Sequence, residues 1–354
     1  SLLMMGISTS IIGILPPAAS AGVGVVIVLQ LMRLAQCFGR GGTWGGGILM
    51  AYENVPENKR SFYAAIPQIG LPIGFGLSSI LIAVPTLLLP EDIFFTWGWR
   101  IPFLAAIILT VIVIRQKGEM METEDYKKAQ AKLEAEEAEG KKHKVGFIPM
   151  VKGYWKTLLL GCGTRWVDGT FYNIFIVWIL SYCINWLGMP LIQTYIITII
   201  ACIFKIPFTL FGGWCAQKLG NTRTFVIGAL ASAVLSIPTL KVIELSKGNL
   251  AITIIGIVLG WSIAYNLIWA VISSLWSSYF ETEVRYSGIS FVYHVPSFLV
   301  AGMVPTICTL LINYGKGDTI YVGIYSTVVA LISAACALAL NCLLYTSPSP
   351  RDCS

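Results

Sequence analysis

Long apolar runs dominate this sequence of 354 residues and leave few alternatives for its fold. A helix needs about 20 consecutive apolar residues to cross a bilayer, and most of the apolar runs approach or exceed that length. Charged residues make up only 12% of the chain, whereas a soluble domain carries about twice that fraction. The sequence therefore predicts an all-α integral membrane protein. In chain order the predicted spans are residues 2–15, 23–52, 64–89, 101–114, 157–187, 192–216, 224–243, 251–280, 288–312 and 320–341.

One long polar stretch, residues 115–156, divides these spans into four before it and six after it. The stretch contains ten Lys and Arg residues, and the positive-inside rule therefore predicts that it is a cytoplasmic linker. The net charge of +6 follows from the same bias in a multi-pass plasma-membrane protein and does not indicate nucleic-acid binding. We predict a helical group at residues 1–114, this central linker, and a second helical group at residues 157–341.

The two chain ends differ from those of an ordinary membrane protein. Ser1 opens directly within an apolar run, and residues 342–354 read CLLYTSPSPRDCS. That tail resembles the translation of an adapter used in DNA library preparation. We therefore expect residues 342–354 to be non-native, and the natural sequence to be truncated at both ends.

Motifs of metal sites and of membrane-embedded enzymes are absent from the sequence. The nine Cys residues show no CxxC or CxxH spacing, and we interpret most of them as small apolar core residues. There is no H-E-x-x-H, D-D-x-x-D or G-x-S-x-G pattern. We therefore predict a protein that is not an enzyme, with no metal and no cofactor.

Five segments, in order along nearly the whole chain, resemble the major facilitator superfamily. Within it they are similar to the metabolite:proton symporters, which include the proline/betaine, citrate, α-ketoglutarate and shikimate carriers. The family has twelve helices in two halves. The resemblance implies that residues 1–114 are the remnant of the N-terminal half (helices three to six) and residues 157–341 the C-terminal half (helices seven to twelve). The segments are RLAQCFGRGGTWGG (33–46), YENVPENKRSF (52–62), PQIGLPIG (67–74), WGWRIPF (97–103) and YFETEVRYSGIS (279–290).

Several positions depart from the family pattern. Thr43 stands where the family has a Glu, and an extra cation, Arg40, lies close by. In the loop motif between helices eight and nine, Gln217 stands in place of an acid. Because Gln217 cannot form an ion pair, we expect the inner gate of this chain to differ from that of its relatives.

The first candidate substrate site is a polar stripe in the second predicted span. Arg33, Gln36 and Arg40 recur at helical spacing and therefore share one face. The functional interpretation is that Arg33 offers a bidentate fork to a substrate carboxylate. The alternatives are an internal ion pair, or a side chain that snorkels to the headgroups.

A second candidate site lies in the fifth and sixth predicted spans. Arg165 and Asp168 are three residues apart and can meet on one helix face, with Tyr172 one turn further on. We predict that Asp168 is the proton-coupling carboxylate; a static ion pair is the alternative. An isolated Lys within a span is costly, so we expect Lys205 to face either a cavity or a carboxylate such as Asp168. We also assign Lys205 to the substrate-binding residues.

The remaining candidates are assigned to gating and proton relay. His294 is either a proton relay or a hydrogen-bonded interhelical histidine. Tyr265, Trp269, Trp276 and Tyr293 either line the cavity or pack. The predicted gate residues are Glu53, Arg60, Lys218 and Arg285.

The combined interpretation is a monomeric, proton-coupled symporter in a lipid bilayer, with the proton gradient as its energy source. Intramembrane cations outnumber Asp168, which favours a small organic acid or a zwitterionic metabolite as the substrate. A sugar or drug facilitator of the same superfamily and a non-transporting membrane sensor remain as alternatives.

Overall fold

A computed structural model describes residues 2–16, 22–53, 55–56, 59–117 and 147–346. All regular secondary structure in these ranges is helical. Seven helices are long and apolar enough to cross a membrane, and three more are shorter apolar helices. Together they correspond in order to the ten predicted spans, and the predicted all-α membrane fold is confirmed.

The first helical group precedes the linker. A 3-10 turn at Pro67–Ile69 connects its third helix to its fourth, and another at Gly98–Arg100 precedes its sixth. The helices are α1 (Leu2–Ile14), α2 (Val23–Glu53), α3 (Arg60–Ala65), α4 (Gly70–Leu88), α5 (Glu91–Thr96) and α6 (Ile101–Lys117).

The second helical group follows the linker. Its spans are interrupted by two π-helical segments, Asn173–Trp178 and Val258–Ala264. The helices are α7 (Phe147–Tyr172), α8 (Ile179–Asn185), α9 (Leu191–Leu219), α10 (Asn221–Leu245), α11 (Leu250–Ile257), α12 (Asn266–Ser277), α13 (Thr282–Leu299), α14 (Val304–Tyr314) and α15 (Ile320–Thr346).

Two boundaries differ from the predicted organisation. Helix α7 begins at Phe147, inside the predicted linker, and is kinked at Tyr154. Helix α15 continues to Thr346, into the predicted tail. Most of the predicted linker (118–146) and of the predicted tail (347–354) lies outside the described residues.

Small residues and one buried arginine hold the first group together. A Cβ added at Gly13 of α1 would lie 2.8 Å from the Cβ of Phe103 in α6, so these helices approach closely. Arg100 Nη1 donates to the carbonyl oxygens of Gly13 at 2.8 Å and Leu15 at 2.6 Å. Carbonyls at a helix end have no intrahelical donor, and Arg100 therefore supplies the missing hydrogen-bond donor at the end of α1.

The two groups meet mainly along α9. Helix α9 packs against α3 and α4, and α12 packs against α3. A Cβ added at Gly213 of α9 would lie 2.7 Å from the Cβ of Ala65, and one at Gly212 would lie 2.7 Å from the Cβ of Ala270. These glycines allow α9 to contact α3 on one side and α12 on the other. We call the helix ends that lie beside Lys117 and Phe147 the linker side.

Candidate functional site

A buried acid forms the centre of the candidate site. Asp168 is 1% exposed and Arg165, one turn earlier in α7, is 7% exposed. The two side chains form an ion pair, as their spacing allows. Asp168 Oδ1 also accepts a hydrogen bond from the hydroxyl of Tyr265, which lies between the second π-helical segment and α12. The carboxylate therefore connects two helical spans that are distant in sequence.

Arg165 extends these contacts to a third span. Its Nη2 donates to Ser297 Oγ in α13 at 3.2 Å, and its guanidinium lies 4.3 Å from the centre of the Tyr293 ring. A guanidinium over an aromatic ring is stabilised by the ring quadrupole. Arg165 thus connects the Asp168 carboxylate to α13.

Lys205 in α9 is fully buried and enclosed by aromatic rings. Its Nζ lies 4.4 Å from the ring centres of both Trp261 and Tyr265. Asn266 Nδ2 donates to the Lys205 carbonyl oxygen at 2.7 Å, and Thr209 Oγ1 donates to the same oxygen at 2.9 Å. The Asn266 bond ties the Lys205 backbone to α12, whereas the Thr209 bond lies within α9.

Of the two alternatives for Lys205, a cavity or a carboxylate such as Asp168, the direct contact with Asp168 is absent from the described structure. Its Nζ has no hydrogen-bond partner. Tyr265 lies between the two groups, because its ring contacts Lys205 and its hydroxyl donates to Asp168. An aromatic side chain 97 positions from Asp168 therefore lies where a direct ion pair was one of the two predicted alternatives.

Two further candidates border this centre. The Tyr172 ring packs edge-on against Phe75 of α4, with 5.8 Å between ring centres, and therefore lies at the seam between the two helical groups. His294 is half-buried, and its ring lies 5.1 Å from that of Tyr293. His294 therefore neighbours a residue that contacts Arg165.

The candidates from α2 form a separate group. The Arg33 side chain is exposed, and Gln36 Nε2 donates to Thr9 Oγ1 of α1 at 2.7 Å. The side chains of Arg40 and Glu53 lie outside the described residues. Gln36 thus joins α2 to α1.

Among the residues that the structure describes, uncharged contacts join α3 to the second group on the linker side. The backbone N–H of Phe62 donates to Gln217 Oε1 at 3.3 Å. Ser273 Oγ donates to the Ala64 carbonyl oxygen at 3.3 Å. Gln217 therefore satisfies an orphan N–H in the first turn of α3, a role that needs no charge.

A third contact between the two helical groups lies further toward the middle of the span. Trp269 Nε1 of α12 donates to the carbonyl oxygen of Gln68 at 3.1 Å. Sequence reasoning considered Trp269 only as a cavity-lining or packing residue, and no local pattern identifies its backbone partner.

The predicted gate cations lie on the linker side, beside backbone carbonyls or an aromatic ring. Arg60 Nε donates to the Val55 carbonyl oxygen at 3.3 Å, and Arg285 Nε donates to that of Phe280 at 3.1 Å. Lys218 Nζ lies 4.2 Å from the Trp214 ring centre. The side chain of the fourth predicted gate residue, Glu53, lies outside the described residues.

Polar groups outside the spans tie the loops to the helix ends. On the linker side, the Tyr279 hydroxyl lies 3.0 Å from Thr222 Oγ1, and burial raises the pKa of Tyr279. On the opposite side, Lys241 Nζ donates to Asp318 Oδ1 at 2.7 Å. This hydrogen bond, with one from the backbone N–H of Ile320, lowers the pKa of Asp318.

Within the described ranges, no group of three or more His, Cys, Asp or Glu side chains is arranged to hold a metal ion. The arrangement that is present pairs a buried carboxylate with a cation, a phenol and a second, separate cation. Such a centre can exchange a proton or bind a charged small molecule.

Comparison with known proteins supports the family resemblance of the sequence motifs. Residues 1–305 match the profile of the Major Facilitator Superfamily. The inner membrane metabolite transport protein YhjE of Escherichia coli is 31% identical over 98% of this chain and 76% of its own length. The Escherichia coli shikimate transporter is 29% identical over 96% of this chain and 76% of its own length. The Salmonella typhimurium proline/betaine transporter is 27% identical over 96% of this chain and 68% of its own length.

The fold is shared with a solved transporter at low sequence identity. The proton:xylose symporter XylE bound to 6-bromo-6-deoxy-D-glucose superimposes with a TM-score of 0.75 and 15% identity. The match covers 95% of this chain and 77% of that one. Family profile, relatives and fold agree, and the chain therefore belongs to the major facilitator superfamily, as a multi-pass membrane transporter and not an enzyme.

Proposed function

We propose that the protein is a proton-coupled symporter of a small organic acid or zwitterionic metabolite, with Asp168 as the proton-coupling group. The observation that carries this proposal is the buried Asp168 centre, which binds Arg165 and Tyr265 at once. A buried carboxylate that exchanges partners on protonation can bias two conformations of a protein.

The contacts of Asp168 define what protonation would change. The ionised carboxylate attracts the Arg165 guanidinium and accepts the Tyr265 hydroxyl hydrogen bond. Protonation removes the negative charge, and Arg165 then keeps only its contacts with α13. The tie between α7 and the span that carries Tyr265 is thereby weakened, while Arg165 still holds α7 to α13. This weakening is the local event that we couple to alternating access.

The substrate class follows from charge and from the relatives. The named relatives include a shikimate transporter and a proline/betaine transporter, whose cargoes are a carboxylate and zwitterions. Arg165 and Lys205 are buried cations in the second helical group, and a carboxylate is their natural ligand. A metabolite that carries a carboxylate fits both observations, and a neutral sugar fits neither.

The test is gradient-driven uptake by the purified protein in proteoliposomes. Labelled shikimate, glycine betaine and proline are offered with an acidic exterior, with and without a protonophore, and labelled xylose serves as the neutral control. We expect at least one carboxylate-bearing compound to accumulate above its external concentration and the protonophore to abolish that accumulation. Accumulation that ignores the protonophore, or uptake of xylose alone, would overturn the proposal.

A further inference from the structure

Two hydrogen-bond donors at the aromatic cage of Lys205 have no acceptor. We define this cage as Lys205, Trp261 and Tyr265. Lys205 Nζ and Trp261 Nε1 are both buried and both without a hydrogen-bond partner. The two side chains touch, since Nζ lies 4.4 Å from the Trp261 ring centre. Buried donors are nearly always paired in folded proteins, so two unpaired donors in contact indicate the place of a missing acceptor.

The aromatic rings alone do not offset the burial of Lys205. A cation over an aromatic ring gains about 2 kcal/mol when it is desolvated. Removing an ammonium from water costs several kcal/mol even after relaxation of the protein. The Tyr265 hydroxyl is directed to Asp168, and the phenol therefore contributes only its ring to the cage. An anion in contact with Nζ would offset the part of the desolvation cost that the rings do not.

The charge of the surroundings specifies the charge of that anion. The buried charged side chains in the described part of the second group are Arg165, Asp168 and Lys205. Arg165 and Asp168 neutralise each other as an ion pair. When Lys205 is protonated it adds a single uncompensated positive charge, which matches a ligand of net charge −1 better than a zwitterion.

The cage lies close to the seam between the two helical groups. Cys202 is one helical turn before Lys205 on α9, and a Cβ added at Gly76 of α4 would lie 3.5 Å from the Cys202 Cβ. Trp261 belongs to the π-helical segment Val258–Ala264, where the α-helical hydrogen-bond pattern is interrupted. Movement of α4 past α9 would therefore open this part of the span to a ligand.

We propose that Lys205 Nζ and Trp261 Nε1 bind the carboxylate of a small monocarboxylate anion, which is the transported substrate. This assignment rests on the proposed transport function and narrows it from organic acids and zwitterions to singly charged acids. It places the substrate carboxylate and the proton-coupling Asp168 on opposite sides of Tyr265.

The experiment compares carboxylates with their uncharged amides. Acetate, lactate and benzoate, each against acetamide, lactamide or benzamide, are titrated into the detergent-solubilised protein and followed by calorimetry. Concentrations extend to about 50 mM, since a millimolar Kd corresponds to only about 4 kcal/mol. We expect at least one carboxylate to bind and its amide to bind at least about tenfold more weakly, because the charge of the acceptor is lost.

Three variants locate the binding site. Lys205→Met keeps the apolar stem and removes the ammonium, and we expect it to weaken carboxylate binding about 10- to 100-fold. Trp261→Phe keeps a ring and removes only the N–H donor, and we expect a loss of about tenfold. Lys241→Met removes an ammonium outside the cage and serves as the matched control, with affinity unchanged. If Lys205→Met does not fold, Trp261→Phe still tests whether the carboxylate binds at the cage.

Several results would overturn the assignment. They are no binding of any carboxylate, equal binding of carboxylate and amide, and unchanged binding in both cage variants. The gradient-driven uptake test is independent. Proton-driven uptake of zwitterions alone would refute the cage while leaving the symporter intact. Carboxylate binding at the cage without proton dependence of uptake would refute the proton-coupled symporter and leave the cage assignment intact.

Discussion

The ion pair between Arg165 and Asp168 is expected to act as one energetic unit. Removing one member of a buried ion pair leaves an uncompensated charge and costs about 3–5 kcal/mol. In Arg165→Gln, Asp168 still accepts the Tyr265 hydrogen bond. In Asp168→Asn, Arg165 retains Ser297 and the Tyr293 ring. Each single variant should therefore lose unfolding free energy at the lower end of this range, about 3 kcal/mol.

The double variant Arg165→Gln, Asp168→Asn leaves no unpaired charge. Its cost should resemble that of one single variant, about 3 kcal/mol, which makes the coupling energy about 3 kcal/mol as well. The measurement is the free energy of unfolding of all four proteins in mixed micelles with increasing sodium dodecyl sulfate.

A matched control is available in the same chain. Lys241 and Glu244 have the same three-residue spacing, with 29% and 24% of their side chains exposed, and solvent screening limits such pairs to about 1 kcal/mol or less. If the Arg165–Asp168 coupling is no larger than the Lys241–Glu244 coupling, the reasoning about the buried centre is refuted.

Three further predictions test the packing and the loops. Arg100→Met should destabilise the protein by about 2–3 kcal/mol because the carbonyls at the end of α1 lose a charged donor; an unchanged melting temperature would contradict this role. Gly212→Ala should cost about 1–3 kcal/mol through overpacking, and adding Ala270→Gly should restore the melting temperature, since the two Cβ positions are 2.7 Å apart. Asp318→Asn should lower the melting temperature at pH 7, where the ionised carboxylate accepts from Lys241. Because the pKa of Asp318 is lowered from 3.8, the difference should begin to shrink below about pH 3.8 and vanish as the wild-type carboxylate protonates; a difference as large at pH 2.5 as at pH 7 would contradict this.

Local sequence patterns predicted the features of the fold that depend on local physics. The spans follow from segment length and apolarity, and all ten appear in order among the described helices. The contact between Arg165 and Asp168 follows from helical spacing alone. Both inferences use only the rise and period of one helix, and neither needs knowledge of neighbouring helices.

Long-range contacts were beyond the reach of such patterns. Tyr265 reaches Asp168 across 97 positions, and Arg100 reaches Gly13 across 87. Lys205 illustrates the reason: an intramembrane cation requires some stabilising partner, but the sequence does not tell whether its side chain contacts a carboxylate or aromatic rings. Which one is present depends on how α9 packs against the π-helical segment, and local periodicity does not encode that.

The inner gate shows a related limit. Because Gln217 cannot form the ion pair of the family acid, the sequence indicated an inner gate that differs from that of the relatives, but not what replaces the ion pair. The structure instead has Gln217 accept the Phe62 N–H at 3.3 Å. A backbone donor in the first turn of a helix is present whatever the side chain, so sequence comparison of charges alone cannot reveal such a contact.

Proton movement through Asp168 is the central claim, and a substrate-induced pH change measures it most directly. Proteoliposomes are loaded with a pH-sensitive dye and have no initial pH gradient. The compound that accumulates in the uptake test is then added outside. The account predicts that the wild-type protein acidifies the lumen as substrate enters, and that Asp168→Asn does not, although calorimetry still detects its substrate binding. Equal acidification by Asp168→Asn and wild type, or none by the wild type during substrate entry, would contradict it.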